Sequence, residues 1–166
     1  FGCGTGHNLL RVGRINKNAR LYGLDWAKSY QKIVKKLGIV GYNFDFFNPT
    51  LKLKPKSAVF TVAALEQTGT KYKKFVSYLL KNNPSICIHV EPIEELLDPN
   101  NLLDNLSIKY FRKRNYLSGY LTYLRELEKA GRVKILEARR SGIGSLFVEG
   151  YSVLIWKPTK TKDGRS

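Results

Sequence analysis

Apolar positions recur along the chain at two spacings, helical and extended, that alternate with one another. Residues 7–15 carry Leu9, Leu10, Val12 and Ile15 at helical spacing, directly after a glycine-rich turn. Residues 19–25 form a short apolar strand that ends on an acid. Residues 26–38 are amphipathic, with Tyr30, Ile33, Val34 and Leu37 on one face and Gly38 as the stop. A strand follows at 39–47, closed by Asn48 and Pro49. Residues 57–65 are almost continuously apolar, as a parallel strand covered on both faces requires. Next come a helix over 70–83, ended by Pro84, and a buried-type strand over 85–91. From about 93 to 131 the pattern is helical, with a stripe through Leu117, Tyr120, Leu121, Leu124 and Leu127. Two adjacent strands, 133–138 and 152–158, finish the pattern around a turn-rich segment. Such alternation predicts an α/β protein.

The 166 residues fit one domain, expected over 1–158, with a helical lid at about 93–131 and a polar tail over 159–166. No repeat or shift in composition marks a second domain. With 29 Lys and Arg against 13 Asp and Glu, the net charge is +16. Such a charge attracts polyanions and makes nucleic acid a partner to weigh. The lysines are spread along the chain, however, as solvated surface residues would be. No apolar run reaches the roughly 18 residues of a membrane span. Cys3 and Cys87 make neither a disulfide framework nor a zinc site, and no clustered ligands suggest a metal. A reduced, cytoplasmic setting is the expectation.

The chemistry begins at Gly2-Cys3-Gly4-Thr5-Gly6. Glycines allow a tight turn and a close approach to a ligand, and the helix behind them offers free N–H groups. Asp25 lies about 20 residues on, at the end of the next strand, where a carboxylate can accept from both hydroxyls of a ribose. A dinucleotide fingerprint would need Gly or Ala where His7 stands, so NAD is the weaker fit.

FGCGTG, LYGLDWA, NFDFF and AALEQ, in this order, resemble the successive cofactor motifs of class I S-adenosylmethionine-dependent methyltransferases. The resemblance implies a Rossmann-like, mostly parallel sheet with helices on both faces and an antiparallel terminal strand. It also implies that most of the first, central strand lies ahead of Phe1, so that two ladder edges inside the sheet are expected to be unpaired. S-adenosyl-L-methionine is the implied cofactor. Gly2, Cys3, Gly4 and Gly6 would wrap its methionine part. Asp25 would hold the ribose, and Trp26 would pack on the adenine. Asp45 and Phe46 would read the adenine edge, while Ala64 and Leu65 would close the pocket.

A hydroxyl acceptor benefits from a general base at the carboxyl ends of the strands. Glu66, His89 and Glu91 are the candidates, the last two on one face of their strand. A segment for exocyclic amine methylation (Asn/Asp-Pro-Pro-aromatic) is absent, since Ala64-Leu65-Glu66-Gln67 stands in its place. Cys87 follows Ile86, so the Pro-Cys pair of cytosine-ring chemistry is absent too. The stretch 108–124 interleaves Arg112, Lys113 and Arg114 with Tyr110, Phe111, Tyr116 and Tyr120. Methyl transfer to a small-molecule or glycan-like hydroxyl is the expected activity. An RNA-binding module or RNA methyltransferase is the alternative that the charge admits.

Overall fold

The computed structural model describes residues 1–145 and 148–159; the expected tail beyond residue 159 lies outside them. Helix α1 (His7–Ile15) leaves a turn in which Gly6 takes φ 82°. Strand β1 (Tyr22–Asp25), helix α2 (Lys28–Lys36) and strand β2 (Val40–Asn43) follow. After β3 (Ala58–Val62) come a 3₁₀ turn (Leu65–Thr68), α3 (Lys73–Asn82) and β4 (Ile86–Glu91). A second 3₁₀ turn (Glu94–Leu96) leads into α4 (Leu102–Lys113), α5 (Tyr120–Lys129) and the pair β5 (Val133–Gly144) and β6 (Glu149–Pro158). No helix among the described residues is long and apolar enough to cross a membrane.

Strand β1 runs parallel to β2, and β3 parallel to β4, while β6 is antiparallel to both β4 and β5. The order in the larger sheet is β3-β4-β6-β5. The sheet is thus mostly parallel with an antiparallel terminal strand, as expected. Several strands are shorter than their apolar runs, because the chain turns away at Asp25 and Asn43 to build loops at the carboxyl ends.

β1 and β2 form a sheet of their own, and among the described residues no strand pairs with the other edge of β1 or of β3. Two backbone hydrogen bonds from the first residues reach across. The Phe1 amine donates to the Phe60 carbonyl at 2.9 Å, and the Cys3 N–H donates to the Leu24 carbonyl at 3.0 Å. A cleft of about 660 Å³ remains, with Leu9, Leu21 and Leu24 on one side and Val59 and Phe60 on the other. Aromatic packing joins the two pieces. The Phe1 ring lies 4.5 Å from Phe44 and 5.2 Å from Phe75, both edge-to-face, and Phe46 lies 4.8 Å from Phe75. Such pairs favour this geometry through the ring quadrupole.

The main core gathers Phe75, Val76 and Leu79 of α3 with Tyr120, Leu121 and Leu124 of α5, around Val59, Cys87, Leu154 and Trp156. α5 is therefore part of the core, while α4 buries Ile108 and Phe111 in a separate cluster. In α2 the expected apolar face is only partly used. Val34 is fully buried, whereas Ile33 and Leu37 are exposed, because the two-stranded sheet beside them is too narrow to cover a whole helical stripe. α4 is fastened at both ends of its first turn. The Asn101 side chain caps it by accepting from the N–H groups of Leu103 and Asp104, and Asp104 takes a two-pronged bond from Arg140 of β5. Asn101→Ala is expected to cost about 1 kcal/mol, read as a melting point lower by about 2–4 °C.

Candidate functional site

The site forms where the first turn, the end of β1 and the end of β3 meet. Gly2, Gly4 and Gly6 all have positive φ, at 62°, 49° and 82°. A Cβ on Gly2 would fall 2.2 Å from the Ala64 Cβ, so only glycine allows the turn to lie against the end of β3. A Cβ on Gly4 would meet nothing within 4 Å, which leaves open space on that side of the turn. Cys3 is half-buried, and its thiol is pushed upward by that burial.

Asp25 is buried at the end of β1. Its Oδ2 accepts from the Gly4 N–H at 2.9 Å and its Oδ1 from the Ala27 N–H at 3.1 Å. Each oxygen keeps a lone pair for another donor, so the carboxylate can shape the turn and still receive two hydroxyls. Trp26, next to it, is 79% exposed. Asp45 is exposed and caps its own loop by accepting from the Phe47 N–H at 2.8 Å. Phe46 is half-buried and lies 4.0 Å from the position a Gly2 Cβ would occupy. The structure thus brings Gly2, Phe46 and Ala64 together, with Asp25 and Trp26 on the β1 side.

The carboxyl end of β4 holds a buried polar network. His89 and Glu91 share one face of the strand and are wholly buried. His89 Nδ1 is 2.9 Å from the Thr61 hydroxyl, and Thr61 also bonds to Glu91. Burial holds His89 down at about 3, so the ring is neutral at physiological pH. The Glu91 carboxylate accepts from the N–H groups of Ala64, Leu65 and Glu66 at 3.1–3.2 Å. Burial pushes it up to about 7 against these donors. Its oxygens are turned to the backbone of the loop that carries Ala64, Leu65 and Glu66. The loop is strained at its start, where Ala63 sits in the left-handed region at φ 50°. Leu65 itself is buried in the core.

Glu66 differs from both. It is 8% exposed, its Oε1 accepts from the Gln67 amide at 3.0 Å, and burial raises its pKa. Arg114 attracts it from the segment between α4 and α5. The lysines of α2 (Lys28, Lys32, Lys35 and Lys36) are all exposed, a solvated face and not a lined groove.

Compared as a sequence, the chain matches no protein-family profile and no curated protein. Compared as a structure, it matches many solved chains. OxaC, solved with SAH and oxaline, is 10% identical with a TM-score of 0.65, over 94% of this chain and 41% of that one. The O-methyltransferase NcsB1 from neocarzinostatin biosynthesis, solved with S-adenosylmethionine and 2-hydroxy-5-methyl naphthoic acid, is 12% identical with a TM-score of 0.62, over 95% and 47%. The plantazolicin methyltransferase BpumL, solved with SAH and a desmethylPZN analogue, is 14% identical with a TM-score of 0.63, over 96% and 74%. The chain has the class I methyltransferase fold. It spans less than half the length of OxaC and of NcsB1.

Two participants escape sequence reasoning. Thr61, which links His89 to Glu91, stands out only as a hydroxyl within an apolar run. Arg114 is one cation among many until the fold places it opposite Glu66.

Proposed function

We propose that this chain is the S-adenosylmethionine-binding core of a methyltransferase that acts on the hydroxyl of a small-molecule acceptor. The observation that carries it is the Asp25 carboxylate, fixed by the Gly4 and Ala27 N–H groups yet keeping a lone pair on each oxygen beside an open glycine turn. That acceptor pair suits a ribose, the rings of Trp26 and Phe46 are offered to an adenine, and the turn at Gly2 and Gly4 is offered to the amino-acid end of the cofactor. When bound, S-adenosylmethionine supplies an electrophilic methyl group on a sulfonium. Glu66, in the turn that follows β3, would take the proton of the acceptor hydroxyl as the methyl group leaves the sulfonium for the hydroxyl oxygen, and burial raises its pKa, which makes it a stronger base. Glu91 positions the loop that presents Glu66, and neutral His89 steadies Thr61 behind it.

Neighbours of this fold give support for the acceptor class. OxaC was solved with oxaline and NcsB1 with a hydroxynaphthoic acid, both small organic molecules. Titration of the chain with S-adenosylmethionine and S-adenosylhomocysteine, followed by calorimetry, is the test. Binding in the micromolar range, about −8 kcal/mol, is expected. Absence of binding, together with steeply salt-dependent RNA binding, would overturn the proposal in favour of a basic RNA module.

A further inference from the structure

The segment that joins α4 to α5 is held against the site from two sides. Glu94 accepts from Arg112 Nε at 3.2 Å and from the Ser118 hydroxyl at 2.8 Å. Glu95 caps α5 by accepting from the N–H groups of Leu121 and Thr122. On the other side, a Cβ on Gly69 would lie 3.1–3.3 Å from Asn115, so the segment packs directly on the turn that carries Glu66. Asn115 takes φ 52°, a left-handed conformation that asparagine tolerates better than most residues with a side chain. That kink orients its neighbours Arg114 and Tyr116. The Arg114 guanidinium lies over the Tyr116 ring, 5.6 Å from the centroid. Ion pairs within 4 Å among the described residues are Arg112–Glu94, Arg139–Glu137 and Arg140–Asp104. Among the described residues, Arg114 has no carboxylate that close. The acids and phenols that influence it are Glu66, Tyr110 and Tyr116. Tyr151 is within electrostatic reach of Glu66 and Tyr116. Its neighbour Ser152 is paired with Glu91, which places Tyr151 just beyond the carboxyl end of β4.

Given the methyltransferase reading, we propose that Arg114 anchors an anionic substituent, a carboxylate or a phosphate, of the acceptor, and that the acceptor lies between Arg114, Tyr116, Tyr151 and Glu66. A guanidinium backed by an aromatic ring, with no carboxylate within 4 Å among the described residues, can offer two parallel donors, the geometry that carboxylate and phosphate oxygens match. Tyr116 backs the exposed guanidinium with its ring, a cation–π contact that holds the cation in place. Glu66 sits opposite, so an acceptor held through its anion presents a hydroxyl to that carboxylate, and an acceptor with a second anionic group there is rejected.

Salicylate, its neutral amide salicylamide, and phenyl phosphate are the probes, titrated into the chain with saturating S-adenosylhomocysteine and again without it, with binding followed by backbone NMR shifts. Salicylate is expected to bind about five- to tenfold more tightly than salicylamide. Arg114→Gln should erase that preference, Arg114→Lys should restore part of it, and Arg125→Gln, on the exposed side of α5, should leave it intact. Whether salicylate or phenyl phosphate binds more tightly tells which anion the site takes. Equal or undetectable binding of the charged and neutral probes overturns the assignment, as does a preference that survives Arg114→Gln. A chain that binds no S-adenosylhomocysteine defeats the cofactor reading instead, and the anion preference is then decided by the titrations without it.

Discussion

Glu91→Leu is expected to destabilise the fold by about 4 kcal/mol at pH 5. It leaves three backbone N–H groups, at Ala64, Leu65 and Glu66, facing an apolar side chain in a buried place, each at a cost of about 1–3 kcal/mol that local relaxation reduces. The cost should depend on pH, and the sign follows from the shift. Glu91 titrates near 4.5 when unfolded and near 7 when folded. Between those values the folded chain holds a proton that the unfolded chain has lost, so stability falls as pH rises. A shift of that size is worth about 3 kcal/mol, so the cost of Glu91→Leu should shrink to about 1 kcal/mol at pH 8. Glu91→Gln keeps one acceptor oxygen and cannot ionise. It should retain much of the stability at pH 5 and lose the decline between pH 4.5 and 7. His89 slopes the other way, since its folded value near 3 lies below the ordinary 6.5 and its contribution is lost as pH falls. That slope is common to all three proteins and cancels on subtraction. Urea unfolding at pH 5 and pH 8 reads the difference; a cost of Glu91→Leu that is small, or equal at both pH values, would show that Glu91 does not hold this loop.

Local signals gave the order of elements and one half of the site. The glycine turn, the helix after it and Asp25 are close in sequence and each has a single physical requirement, so their pattern is readable before any fold is known. The helix pattern at 120–129 was just as clear, but a stripe states only that one face is covered and not by what. In the structure that stripe, with Tyr120, Leu121 and Leu124, lies in the main core. Glu91 shows a different limit. Ending a strand before a proline marks it as a residue with a task, yet its partners are backbone donors 25–27 residues upstream, and backbone donors leave no trace in a sequence. The exposed Ile33 and Leu37 follow from the narrow β1–β2 sheet, a property of strand pairing and not of the helix that carries them.

Asp25→Ala is expected to weaken S-adenosylhomocysteine binding about 100-fold, equivalent to about 2.7 kcal/mol, with a smaller loss of stability of about 1–2 kcal/mol. Two effects contribute, and they can be separated. The turn loses the acceptor that fixes the Gly4 N–H, which loosens the cradle for the amino-acid end. The ribose loses its charged acceptor, which acts only on a ligand with hydroxyl groups. A cofactor analogue lacking both ribose hydroxyls isolates the second effect, because it should bind the unaltered chain far less tightly than S-adenosylhomocysteine yet bind Asp25→Ala with nearly equal affinity to it. The coupling energy of that cycle measures the ribose contact itself. A coupling of about 1.5 kcal/mol or more assigns Asp25 to the ribose. A coupling near zero, with the 100-fold loss intact, would leave Asp25 as a brace for the glycine turn and move ribose recognition to other groups around it.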